Sequence, residues 1–146
     1  MKLNKHNVIV CILLLYTALL LYWMFFGFGR QAQTEYRYNL QPFSTIDLFI
    51  RSKSLRKYHF VINVLGNIGV FIPFGILLPG CFKGSLVKAA IVLLSGLLVL
   101  EFLQLVCKRG TFDVDDIILN TGGFIIGYIL EKLIRWFWQH HVFTAK

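Results

Sequence analysis

Four apolar stretches, at residues 8–28, 58–79, 86–106 and 115–134, dictate what this chain can fold into. A hydrocarbon layer of about 30 Å is crossed by roughly 20 apolar residues in helical form. A soluble domain of 146 residues has no core large enough to hide four such runs. With 57% of its residues hydrophobic and 15% charged, the chain is expected to be all-α: an integral membrane four-helix bundle, one domain over residues 1–146.

The polar residues inside the runs carry the next inference. Asn63 and Asn67 lie early in the second run, Glu101 and Gln104 late in the third, and Asp116 and Asn120 early in the fourth. Consecutive spans run antiparallel, so all six emerge at the same side of the bilayer. Spacings of three and four residues place each pair on one helix face. At a rise of about 1.5 Å per residue, Asn67 lies about 14 Å below Tyr58 and Glu101 about 9 Å below Cys107, so their depths overlap.

Buried amides glue membrane helices together at about 0.6 kcal/mol each. A central carboxyl is harder to excuse, because insertion scales charge it about 2.5–3.5 kcal/mol. Glu101 must therefore be protonated, paired or hydrated. Arg109, about two turns further on, is its candidate partner, and Lys108 continues the Glu101–Gln104 stripe. A pocket built from Asn63, Asn67, Glu101, Gln104, Arg109, Asp113, Asp116 and Asn120 is expected. The alternative is a polar knot that only holds helices together.

Asp113, Asp115 and Asp116 are hard oxygen donors of the kind that hold calcium or magnesium, but the D-x-D-x-D-G spacing is absent. Capping of the fourth helix by Asp113 or Asp115 is the simpler account, and no metal or cofactor is expected. Catalytic signatures are equally thin. G-x-S-x-G and H-E-x-x-H do not occur, and His59 is the sole histidine on the polar side. If the chain were an enzyme, Glu101 and Asp116 would be its acid–base candidates.

Residues 30–57 form a connection too long for a passive turn. Ser44-Thr45-Ile46-Asp47 has the form of a helix-start capping box. Ile46, Leu48, Phe49 and Ile50 would give a short apolar face lying in the membrane interface; an ordered loop without membrane contact is the competing expectation. In the second run Pro73 should kink the helix, and Gly66, Gly69 and Gly75 thin it for close contact. Gly123 and Gly127 form a G-x-x-x-G pattern for a tight helix contact, within the bundle or between subunits of a homo-oligomer. Trp136 and Trp138 suit an interfacial belt, with Lys132 and Arg135 reaching outward. No internal repeat is visible.

Lys2 and Lys5 before a first run that lacks an A-x-A site read as a retained signal anchor. The cation count does not orient the bundle: seven Lys and Arg flank the side of the termini and eight the opposite side. Lys2 and Lys5 favour a cytoplasmic N-terminus, which would put the polar cluster outside. The formal charge of +8 suits anionic membrane lipids rather than nucleic acid, for which no motif is present. Arg51, Arg56, Lys57 and Arg109 are candidate phosphate or head-group contacts, in competition with acidic side chains on the same side. Cys11, Cys81 and Cys107 are placed too far apart to pair with one another.

Taken in order, Asn39-Leu40-Gln41-Pro42-Phe43, Asn63-Val64-Leu65-Gly66-Asn67, Phe71-Ile72-Pro73-Phe74-Gly75, Glu101-Phe102-Leu103-Gln104, Arg109, Asp113-Val114-Asp115-Asp116 and Asn120-Thr121-Gly122-Gly123 resemble the VanZ-like family of bacterial membrane proteins. The resemblance runs from about Tyr36 to Glu131. It implies low-level resistance to glycopeptide antibiotics, chiefly teicoplanin, in the bacterial cytoplasmic membrane; it supplies no catalytic residues. The expected activity is binding of a cell-envelope lipid, a lipid-linked cell-wall precursor or the lipoglycopeptide antibiotic itself at the outer face. The alternatives are a membrane enzyme acting on a polyprenyl-phosphate or lipid-linked substrate, and a small oligomeric lipid or precursor transporter. Transport needs a pathway to both sides, and the sequence gathers polar residues near one.

Overall fold

The structure, a computed structural model, describes residues 4–27, 31–44, 47, 51 and 56–141, and within the last segment the side chains of residues 63–140. Four long helices follow in order: α1 (Lys5–Phe26), α2 (Arg56–Cys81), α3 (Leu86–Val106) and α4 (Val114–His141). All four are long and apolar enough to cross a membrane, and the protein is an all-α integral membrane bundle. Two short strands, β1 (Tyr38–Asn39) and β2 (Phe112–Asp113), pair in parallel, with Tyr38 opposite Phe112 and Asn39 opposite Asp113. The long connection is thereby tied to the α3–α4 turn.

Lipid replaces water around such a bundle, so large apolar residues face outward without cost. Leu14, Leu15, Tyr22, Val87, Phe102 and Leu133 are all exposed. The interior is a compact apolar layer of Leu13, Leu20, Phe71, Phe74, Leu93, Leu97 and Phe124.

Helices α2 and α4 make the tightest contact, and glycine is what permits it. A Cβ on Gly123 would come 2.1 Å from Ile68 O, one on Gly127 2.1 Å from Ile72 O, and one on Gly75 2.0 Å from Phe124 O. Without a hydrophobic force between helices in lipid, small residues that let backbones approach supply the packing energy. The G-x-x-x-G pattern thus serves a contact within the bundle. Gly66 and Gly69, expected to share that work, face open space. Pro73 and Pro79 both lie within α2, which continues past the expected end at residue 79 to Cys81. Helix α1 is fastened to α2 by Tyr16, whose hydroxyl donates to Val70 O at 2.8 Å. Helix α4 runs to His141, beyond the expected end at residue 134.

Helix α3 ends at Val106, as the sequence predicts, but the residues that follow turn away from its axis. Arg109 N donates to Gln104 O and Lys108 N to Leu105 O, both at 3.0 Å, the paired bonds of a Schellman stop. Lys108 occupies the left-handed position normally given to glycine, at φ 54°. It therefore leaves the Glu101–Gln104 stripe: its Nζ donates to Thr34 O and lies 4.6 Å from the Tyr36 ring.

Candidate functional site

At the end of the bundle where residues 31–44 cross, a recess of about 460 Å³ opens. All eight residues expected to gather there line it: Asn63 and Asn67 from α2, Glu101 and Gln104 from α3, Arg109 and Asp113 from the following turn, Asp116 and Asn120 from α4. The helix directions account for this. Helices α2 and α4 enter from this end and α3 returns to it, so polar residues early, late and early in their helices meet.

The contacts within the recess are specific. Asn67 Nδ2 donates to Asp116 Oδ1 at 2.5 Å, joining α2 to α4. Asp113 N donates to Glu101 Oε2 at 3.2 Å, joining the turn to α3. Glu101 is 2% exposed, Gln104 4% and Asn120 2%. Gln104 Nε2 donates to Met24 O, and Arg109 Nη1 donates to Phe25 O while its guanidinium lies over the Phe26 ring. Arg109, the expected partner of Glu101, shares the recess lining with it and reaches the carbonyl end of α1, where a cation is favoured by the helix dipole.

Two buried oxygens, Asn120 Oδ1 and Gln33 Oε1, have no hydrogen-bond partner among the described residues. Both residues line the recess. A buried polar atom left unpaired costs about 1–3 kcal/mol, so a native structure that retains one calls for a reason.

The acidic run Asp113-Val114-Asp115 builds structure. Asp113 Oδ1 accepts from Asp115 N at 2.9 Å, capping α4 as the sequence suggested. The same oxygen accepts from Asn39 Nδ2 at 3.0 Å. Asp115 is fully buried and accepts from Phe43 N at 2.6 Å. Phe43 holds a left-handed backbone, φ 63°, a conformation a bulky residue adopts only when its surroundings impose it. Together these bonds anchor residues 38–44 to the start of α4, and Gln31 and Gln33 of the same connection cover the recess. The expected capping box takes another form: Ser44 Oγ accepts from Asn39 Nδ2 at 2.7 Å, and Asp47 pairs with Arg51 at 2.8 Å. Arg51, a candidate head-group contact, is exposed and outside the recess lining. The side chains of Arg56 and Lys57 lie outside the described residues, as do Ile46, Leu48, Phe49 and Ile50 of the expected interfacial face.

Sequence reasoning passed over Gln31, Gln33 and Thr111, which also line the recess. Gln31 and Gln33 are two apart, the spacing that puts side chains of an extended segment on one side; that period was the available signal. Polarity is not confined to this end, as the sequence suggested. A second recess of about 620 Å³ at the opposite end is lined by Lys5, Lys83, Lys132, Arg135 and Glu131. Phe71, Phe74, Leu97 and Phe124 fill the core between the two.

These features define a polytopic membrane protein with a roofed polar recess at one end of its bundle. The chain belongs to the VanZ/LLP1 family, whose model matches residues 12–135. Over 73 residues it is 40% identical to Protein VanZ of Enterococcus faecium, an alignment covering 49% of this chain and 45% of that protein. The match therefore spans about half the length of this curated relative. No solved structure matches the chain.

Proposed function

We propose that this protein lowers bacterial sensitivity to glycopeptide antibiotics, teicoplanin above all, by holding an amphiphile of the cell envelope, or the lipid-bearing antibiotic, in the roofed recess. The protein would sit in the cytoplasmic membrane with the recess at its outer face. Membership of the VanZ/LLP1 family supports the resistance role. The observation that carries the binding role is a polar recess with two buried oxygens that no described residue answers. Glu101 and Asp116 both have hydrogen-bond partners within the recess, which suits a preformed binding surface and needs no bond-making step.

The test is expression in a susceptible host. Teicoplanin sensitivity should fall relative to the empty vector, vancomycin sensitivity should change less, and Asn67→Ala should remove the effect at equal protein abundance. No shift with the wild-type chain rejects the resistance role. Cysteine substitutions at Tyr36 and at Lys83 should be labelled by an impermeant thiol reagent from outside and inside respectively, in a background with Cys11, Cys81 and Cys107 replaced. The reverse pattern rejects the outward recess.

A further inference from the structure

Three side-chain donors of the recess are engaged by the protein. Asn67 Nδ2 goes to Asp116, Gln104 Nε2 to Met24 O and Arg109 Nη1 to Phe25 O. Among the described residues, the buried side-chain atoms left without a partner are two oxygens, Asn120 Oδ1 and Gln33 Oε1. Among the described residues, three carboxyl residues line the space, Glu101, Asp113 and Asp116, and one cation, Arg109. A phosphate, which only accepts and carries negative charge, meets more carboxyl groups than cations there. An ammonium group offers three donors, no acceptor and a positive charge, which suits these oxygens and carboxyl groups.

Against the recess lies a second space, a groove of about 340 Å³ between α1 and α3. Its floor includes Phe74 of α2, and its sides include Leu13 and Thr17 of α1 and Leu93 and Gly96 of α3. Leu20 and Phe71 line both spaces, so polar recess and apolar groove adjoin at these two side chains. Along α1 the lining runs from Val10 to Leu21, about 16 Å at helical rise, parallel to the direction of lipid chains. Nothing lies within 4 Å of a Cβ placed on Gly96, so the groove is open there.

Building on the binding role above, we infer that the ligand is a chain-bearing amine: its protonated amino head sits in the recess against Asn120, Gln33 and the carboxyl residues, and its hydrocarbon chain lies in the α1–α3 groove. The polar site thereby selects for donors, and the groove selects for a tail.

The experiment uses the full chain in phosphatidylcholine vesicles. Two photoactivatable probes are compared, an alkylamine and the matching alkyl phosphate, each with a diazirine in mid-chain. Cross-linked peptides are mapped by mass spectrometry. The amine should label α1 and α3 segments of the groove at least about tenfold more than the phosphate, as hydrogen bonds to a charged group allow. An alkyl trimethylammonium compound, charged but without N–H groups, should compete poorly. Asn120→Leu should lower labelling by the amine; Gly96→Leu should abolish groove labelling, and Gly96→Ala should retain it. Equal or stronger labelling by the phosphate, full competition by trimethylammonium, or labelling indifferent to Gly96→Leu overturns this inference and leaves the binding role standing. If neither probe labels groove or recess, both fall.

Discussion

Asn67 of α2 donates to Asp116 of α4 across the recess, one residue before the point where Ile68 O meets Gly123 at backbone contact distance. The polar pair and the glycine seam therefore lie on one continuous interface between two helices that run in the same direction. Polar and packing contributions to this interface separate by mutation.

Replacing either seam glycine should cost far more stability than removing the polar pair. Gly127→Ala and Gly123→Ala each place a methyl about 2.1 Å from a backbone oxygen, which only helix separation relieves, at about 1–3 kcal/mol. Asn67→Ala should cost about 0.6 kcal/mol, the usual worth of one interhelical hydrogen bond in a membrane. Gly66→Ala and Gly69→Ala, facing open space, should be neutral or slightly stabilising, since alanine is the better helix former. Unfolding in mixed micelles ranks the series.

Asn120→Leu should move stability and function in opposite directions. Leucine removes a 2% exposed amide whose oxygen has no partner, so resistance to unfolding should rise by about 1 kcal/mol. Protection against teicoplanin should disappear in the same variant. A purely structural amide would instead show both falling together.

Asp115→Ala should loosen the connection between α1 and α2 around Phe43. The buried carboxyl holds Phe43 N at 2.6 Å, and hydrogen bonds to charged groups contribute about 1.5–3 kcal/mol. Cysteines introduced at Leu40 and Gln41 should react faster with thiol reagents in this variant, and the helical content seen by circular dichroism should stay unchanged. Unchanged reaction rates would show that the connection is held by other contacts.

Glu101→Gln keeps an oxygen able to accept from Asp113 N, the contact Glu101 makes at 3.2 Å, and removes acid–base capacity. Protection should persist in part at normal protein abundance, since Asp113 and Asp116 still line the recess. Complete loss of protection while the amine probe still labels the groove, with Asp116→Asn behaving alike, would favour the enzymatic alternative.

Much of this was legible in the residues themselves. Four apolar runs define four spans, and helix direction brings Asn67, Glu101 and Asn120 to one end because their places in the runs alternate early, late, early. What escaped the sequence depended on contacts remote along the chain. The two-residue pairing of Tyr38 with Phe112 is too short to leave a periodic trace. The end of α3 at Val106 is legible from the apolar run, but the left-handed backbone of Lys108, usually marked by glycine, carries its side chain away from the Glu101–Gln104 stripe. The contact of Arg109 with the carbonyl end of α1 depends on a helix some 84 residues earlier in the chain. The role of Gly75, as against Gly66 and Gly69, needed the position of α4.

The glycine seam also has a mechanical meaning. Backbones that touch cannot slide or part without losing their contact along its whole length, so α2 and α4 behave as a keel. Any breathing of this protein that admits or discharges a guest must then be done by α1 and α3, moving against a fixed spine.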